Sequence, residues 1–243
     1  MIEFILLGLA IGFLVGLSGV GGGSLMTPSL IFLGVRPEVA VGTDFLFSLL
    51  TKIFATALHG KKGNVRIDIA WRLIAGSVPA VLLGAFILIR LPREELGQLL
   101  VTLIGVVLVV VSALSLGFEI PRFLRPRWIY VYILGFIVGL SVQLTSVGAG
   151  IIVTFALMNI AKVNPREVVG TSIVFGLFVS LMAFATYAHL GYFNLKLALT
   201  LTLGAIPGIF LGVNLASKMD RGKLKKAINV LLLAMGVLLL LGR

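Results

Sequence analysis

The sequence predicts an all-α integral membrane fold of two inverted repeats, each a broken or re-entrant helix pair followed by three transmembrane helices. Three observations carry this. Apolar runs long enough to span a bilayer, about 20 residues each, recur along the whole chain. Of 243 residues 59% are hydrophobic and only 12% charged, whereas a soluble domain carries roughly 25% charged residues; the mean hydropathy is +1.17. A pattern of glycines and prolines also occurs twice.

The duplication is read directly from the residues. Positions 12–18, GFLVGLS, return at 135–141 as GFIVGLS. A four-residue insertion, Val142 to Thr145, precedes the second glycine-rich segment, and from Pro37 onward the two halves keep an offset of 128. Pro37 then faces Pro165, Gly42-Thr43 faces Gly170-Thr171, Gly63 faces Gly191, and Pro79 faces Pro207. The period is far too long for a solenoid unit; duplicated helical bundles of this kind occur in transporters. The division is 1–116 for the first repeat, 117–127 for a polar, proline-bearing linker, and 128–243 for the second repeat.

Each half opens with an apolar helix, 2–17 and 128–141. The first lacks the basic start and small-residue cleavage site of a secretory signal, so it is read as part of the mature protein. A glycine-rich break follows, then a short helix, 24–33 and 151–160, whose ten residues rise about 15 Å, half of a ~30 Å hydrocarbon core. Three full spans complete each half: 41–59, 69–90 and 97–116, matched by 168–188, 196–216 and 224–242. Gly8, Gly12 and Gly16 have the spacing of a close helix contact. Pro79 and Pro207 each remove a backbone hydrogen bond inside a span.

A re-entrant first pair gives three crossings per half and inverted halves; a single broken span gives four crossings and parallel halves. Charge separates the two. In the inverted arrangement one side carries Lys61, Lys62, Arg66, Arg72, Arg122, Arg125, Arg127, Lys162, Arg166, Lys218, Arg221, Lys223, Lys225 and Lys226, and the other only Arg36, Arg90, Arg93, Lys196 and Arg243. Equivalent loops exchange their bias, as inverted halves should under the positive-inside rule. The reading is a multi-pass plasma (inner) membrane protein with both termini outside and the linker in the cytoplasm. The formal charge of +11 belongs to these loops and does not point to nucleic acid.

The breaks carry the chemistry. Unwound backbone at membrane depth is tolerated where it is buried in protein or lines a cavity. Gly21, Gly22 and Gly23 lead into a helix at Ser24; Ser146, Gly148 and Gly150 lead into its counterpart. Backbone N–H groups at a helix N-terminus attract anions, and glycine lets a ligand come close to the chain. The expected substrate-binding residues are Gly21, Gly22, Gly23, Ser24, Thr43, Lys52, Ser146, Gly148, Gly150 and Thr171, with Ser18, Thr27, Ser141, Gln143, Thr145 and Thr154 nearby. Lys52 lies well inside a span and Asp44 one turn into it, and ionisable groups there point to function. Asp44 is the coupling candidate, a carboxyl that takes and releases a proton. The plainer alternative pairs Asp44 with Lys52 internally through Ser48 or a water. Their counterparts are Ser172 and Ser180, so either role belongs to one half.

The segment GLSGVGGGSLMTPSL with VGTD, repeated as SVGAGIIVTFAL with VGTS, resembles the sulfite exporter TauE/SafE family of membrane permeases. The resemblance covers nearly the whole chain. It implies movement of sulfite, sulfonates or related organosulfur anions. The second half departs from the pattern: Phe155 stands where the first half has Pro28, and Gln143-Leu144-Thr145 is inserted. The expected function is a secondary transporter of a small, sulfur-containing anion, with protons as the candidate coupling ion and the choice of ion left open. The alternative is a passive anion channel or uniporter of the same build. No catalytic constellation, metal motif or cofactor signature is present in the sequence, and it has no cysteine. Partners are the anionic substrate and the lipid bilayer, with self-association left open.

Overall fold

The computed structural model describes residues 2–18, 22–61, 65–117, 128–160, 165–216 and 221–242. Among them run ten α-helices: α1 Ile2–Ser18, α2 Gly23–Phe32, α3 Pro37–Lys61, α4 Ile67–Arg90, α5 Arg93–Gly117, α6 Trp128–Thr145, α7 Ile151–Ile160, α8 Pro165–His189, α9 Leu195–Ala216 and α10 Arg221–Leu241. The predicted series is reproduced, with most long helices longer by a few residues. α3 and α8 start at Pro37 and Pro165, because proline suits the first helical position, and each carries a glutamate in its first turn, Glu38 and Glu167. The stretch 142–145 extends α6 by about one turn.

The bilayer is the solvent of this fold. Ile67–Arg90, Arg93–Leu116, Trp128–Thr145, Glu167–His189 and Leu195–Leu215 are each long and apolar enough to cross a membrane. Large apolar side chains face outward on them, Leu82, Leu83 and Phe86 on α4 and Phe210 and Leu211 on α9 among others. α3 and α8 occupy the middle, where Phe45, Phe175, Val179 and Tyr187 are completely enclosed.

Helices pair across the two halves. α1 runs parallel to α9, with Gly8, Gly12 and Gly16 against the backbone of Leu201, Ala205 and Ile209. α4 runs parallel to α6 in the same manner, with Gly135 against Leu73 and Gly139 against Ser77. A Cβ at these glycines would overlap the facing helix, so the small-residue stripes permit backbone-to-backbone approach. α3 and α8 are antiparallel: Phe45 stacks near Tyr187 and Lys52 reaches Gly176 and Ser180. α5 and α10 are also antiparallel, with Gly105 beside Leu240 and Ser115 bonded to Asn229. Exchanging the halves exchanges α1–α9 with α6–α4 and returns α3–α8 and α5–α10 to themselves.

The turns gather at two ends. At one, the Arg66 N–H donates to Thr171 Oγ1 at 3.0 Å, Arg66 pairs with Asp68 at 3.0 Å, and the Arg72 guanidinium lies 3.8 Å from the Trp128 ring centre. At the other, the Asn194 N–H donates to Thr43 Oγ1 at 3.0 Å, and Arg93 lies 5.9 Å from the Tyr192 ring centre. Apart from Gly117, which ends α5, the 117–127 linker lies outside the described residues, as do Lys62, Lys162 and Lys218.

Candidate functional site

The first break ends at Gly22, and Gly21 lies outside the described residues. Gly22 precedes α2 and accepts the N–H groups of Leu25 and Met26 through its carbonyl. Gly23 opens the helix against a residue of the second break: a Cβ on it would overlap the Ser146 carbonyl and sit 2.9 Å from both Ser146 Oγ and Asp44 Oδ2. The two breaks therefore touch, and glycine is what lets them. Ser24 is buried beside them.

Asp44 is supplied by α3 and is fully enclosed. Thr27, one turn into α2, donates to Asp44 Oδ2 at 2.9 Å, and the Ser146 hydroxyl donates to the same oxygen. Oδ1 has no hydrogen-bond partner among the described residues. The carboxylate thus occupies the N-terminal end of α2, where the helix dipole and first-turn N–H groups favour negative charge. The anion-attracting terminus foreseen in the sequence holds one of the protein's own carboxylates.

The second break is built differently. Val147 N–H donates to Thr145 Oγ1 at 3.1 Å, Thr145 Oγ1 donates to the Ser141 carbonyl at 2.7 Å, and Ser141 Oγ donates to the Val147 carbonyl at 3.2 Å. The inserted residues thus supply a hydroxyl staple as well as an extra turn. Ser146 has φ +60° and Gly148 φ +115°. The first is an uncommon conformation for a side-chain-bearing residue and is often found at functional positions; the second is open to glycine alone without strain. This local reversal turns the Ser146 hydroxyl toward Asp44. Gly150 then starts α7, its carbonyl accepting the Thr154 N–H.

Lys52 is half-buried on α3 and donates to Ser180 Oγ at 2.9 Å and to the Gly176 carbonyl at 3.4 Å. A Cβ on Gly176 would lie 3.3 Å from Lys52 Nζ and 3.6 Å from Ala149 Cβ, so the ammonium stands beside the second break. Its partners are neutral. Asp44 and Lys52 form no direct salt bridge among the described residues: each side chain hydrogen-bonds to other helices, while the two still act on each other through space.

Thr43 and Thr171 stand elsewhere. Each hydroxyl oxygen accepts a backbone N–H at the turn leading into the opposite half's fourth helix, Asn194 for Thr43 and Arg66 for Thr171. They brace the two halves at opposite ends of the bundle. The structure adds Gly176 and Ser180 to the expected site residues and gives Thr27, expected nearby, a direct bond to Asp44. Ser180 carried a signal: it is the repeat counterpart of Lys52, and in a paired duplication a central residue can meet its own equivalent.

Residues 4–239 match the family model described as Sulfite exporter TauE/SafE. The chain is 31% identical over 252 residues to a Bacillus subtilis (strain 168) protein described as "Probable membrane transporter protein YjnA", covering 98% of this chain and 99% of that protein. It is 26% identical to a "Probable membrane transporter protein" of Haemophilus influenzae (strain ATCC 51907 / DSM 11121 / KW20 / Rd), covering 98% of both. It is 26% identical to "Probable membrane transporter protein YunE" of Bacillus subtilis (strain 168), over 96% of this chain and 94% of that one. No solved structure matches the chain.

Proposed function

The chain belongs to the sulfite exporter TauE/SafE family, and from that premise we propose that it is a secondary transporter. Its cargo is a small, sulfur-containing anion, sulfite or an organosulfonate, carried across the plasma membrane with protons as the coupling ion. The observation that carries this reading is the junction of the two breaks, where Gly23, Asp44 and Ser146 meet and Lys52 stands nearby.

Two inverted repeats, 1–116 and 128–243, fit the antiparallel pairing of α3 with α8 and of α5 with α10. Equivalent helices that run in opposite directions are what an axis in the membrane plane produces. Lys52 hydrogen-bonds its own counterpart, Ser180, a contact that fits a position beside that axis and near the bilayer midplane. The linker is then cytoplasmic and both termini lie outside, in keeping with the positive-inside rule.

Proton coupling follows from electrostatics. An ionised Asp44 at the head of α2 repels a second anion. At 4 Å and an effective dielectric constant of about 20, two like charges repel by about 4 kcal/mol, roughly a thousandfold in affinity. Protonating Asp44 removes that repulsion, so each ligand favours the other by the same factor. Lys52 supplies the positive field that draws the anion in.

Uptake of labelled sulfite and of an alkanesulfonate into proteoliposomes tests this, with and without an imposed pH gradient. Wild type should show saturable flux that responds to the gradient, Gly22→Val should lose most of it, and Lys52→Ala should raise the KM. Saturable flux indifferent to the gradient would establish a uniporter or channel. No flux of either anion from folded protein would overturn the sulfur-anion assignment.

A further inference from the structure

We propose that the amide of Gln143 is a substrate-contacting group, present in one half only, that selects oxyanions carrying a hydrogen-bond donor of their own. The inference rests on the transport reading above and names the class of anion that the site prefers. Gln143 lies on α6 and is completely enclosed. Neither its Oε1 nor its Nε2 has a hydrogen-bond partner among the described residues. Buried polar groups are nearly always paired, because an unpaired one forfeits its hydration without replacement. An amide enclosed with both ends unpaired is therefore a poor packing residue, and a group held ready for a ligand has this character.

The surroundings have been shaped to admit it. Gly84 on α4 faces the stem of Gln143, and a Cβ there would lie 2.6 Å from Gln143 Cγ. The repeat counterpart, Gly212, has no such side chain opposite: it meets the backbone of Phe13 and Leu17 on α1. The same glycine thus brings two helices together in one half and makes room for an amide in the other. Gln143 also belongs to the four-residue insertion that has no equivalent in the first half. It lies three residues before Ser146, which stands just beyond the end of α6 and is bonded to Asp44.

The amide chooses among anions by its two ends. Nε2 donates and Oε1 accepts. A fully ionised oxyanion satisfies the first and turns a negative oxygen toward the second. An oxyanion with an O–H or N–H of its own satisfies both, as hydrogensulfite or an aminoalkanesulfonate would. A site built to bond such a donor discriminates against analogues that lack it.

Transport kinetics and thermal unfolding in detergent test the idea together, with hydrogensulfite, an aminoalkanesulfonate and methanesulfonate as probes. In wild type the two donor-bearing anions should have KM values about tenfold below that of methanesulfonate. Gln143→Leu should erase that difference and lose the donor-dependent part of the ligand-induced rise in Tm, while the ligand-free Tm stays the same or increases. Gly84→Ala should act in the same direction by displacing the Gln143 stem. A Gln143→Leu protein with unchanged preference among the three anions overturns the inference, as does a fall in ligand-free Tm with unchanged kinetics, which marks a structural amide. Wild type that neither transports nor is stabilised by any of the three overturns the transport reading itself, and this inference with it.

Discussion

The two breaks descend from one repeated pattern and have become chemical opposites. The first is bare glycine at the head of α2 and is occupied by the Asp44 carboxylate. The second is stapled by Ser141 and Thr145, turned by Ser146 and Gly148, and faced by the Lys52 ammonium. Both charges come from α3 of the first half; at their counterparts α8 carries Ser172 and Ser180. The repeat read from the sequence matches the two breaks to each other, and on α3 Asp44 stands at one and Lys52 beside the other. The difference teaches that symmetry here serves architecture while chemistry resides in the departures from it.

That contrast can be broken where the breaks touch. Gly23→Val should have the largest effect, because its side chain overlaps Ser146 and Asp44 together. Overpacking of this kind costs about 1–3 kcal/mol, and proteoliposome flux should fall at least a hundredfold; near-normal flux would show that the junction is not on the transport path. Asp44→Asn comes next. It mimics the protonated carboxyl, so an imposed pH gradient should no longer drive accumulation, while exchange of internal for external anion continues. Accumulation that still follows the gradient would move the coupling proton to another group.

Lys52→Met should raise KM about tenfold or more and leave the gradient response intact, separating attraction of the anion from coupling. Ser180→Ala, which removes only a neutral partner of the ammonium, should change KM by about twofold to threefold. The smallest functional effect belongs to the symmetric braces. Thr43→Val and Thr171→Val should each lower stability by about 0.5–1.5 kcal/mol, the worth of one hydrogen bond, read as a lower Tm with KM unchanged. A changed KM in either would return these threonines to the site.

Much of the architecture was legible in the sequence because hydropathy and the repeat are long-range signals. The helix series needed only run lengths, and the glycine breaks announced themselves by composition. Two things were out of reach. Residues 142–145 read as an insertion before the break, but two apolar residues alternating with a glutamine and a threonine do not tell helix from loop, and they continue α6. The partners of Asp44 and Lys52 were also hidden. Eight residues apart on one helix, they suggested a mutual pair, and only the crossing of α3 with α8 and α2 gives one its hydrogen bonds from Thr27 and Ser146 and the other its bond to Ser180. Thr43 and Thr171 looked like site residues because they sit in the repeated VGT motif. In both repeats the hydroxyl accepts a backbone N–H at a turn, a shared contact that sequence similarity alone does not separate from a shared ligand.

The parallel contact between α1 and α9 has a consequence for how the protein is made. Three glycines of α1 match backbone that is synthesised roughly 190 residues later, about 10–40 seconds at ordinary elongation rates. During that interval α1 sits in the bilayer with its glycine stripe against lipid, held by none of its final neighbours on α9. Closure of this helix pair must therefore wait for the synthesis of α9. A chain stopped after the first half leaves the membrane with an orphan helix seeking a partner.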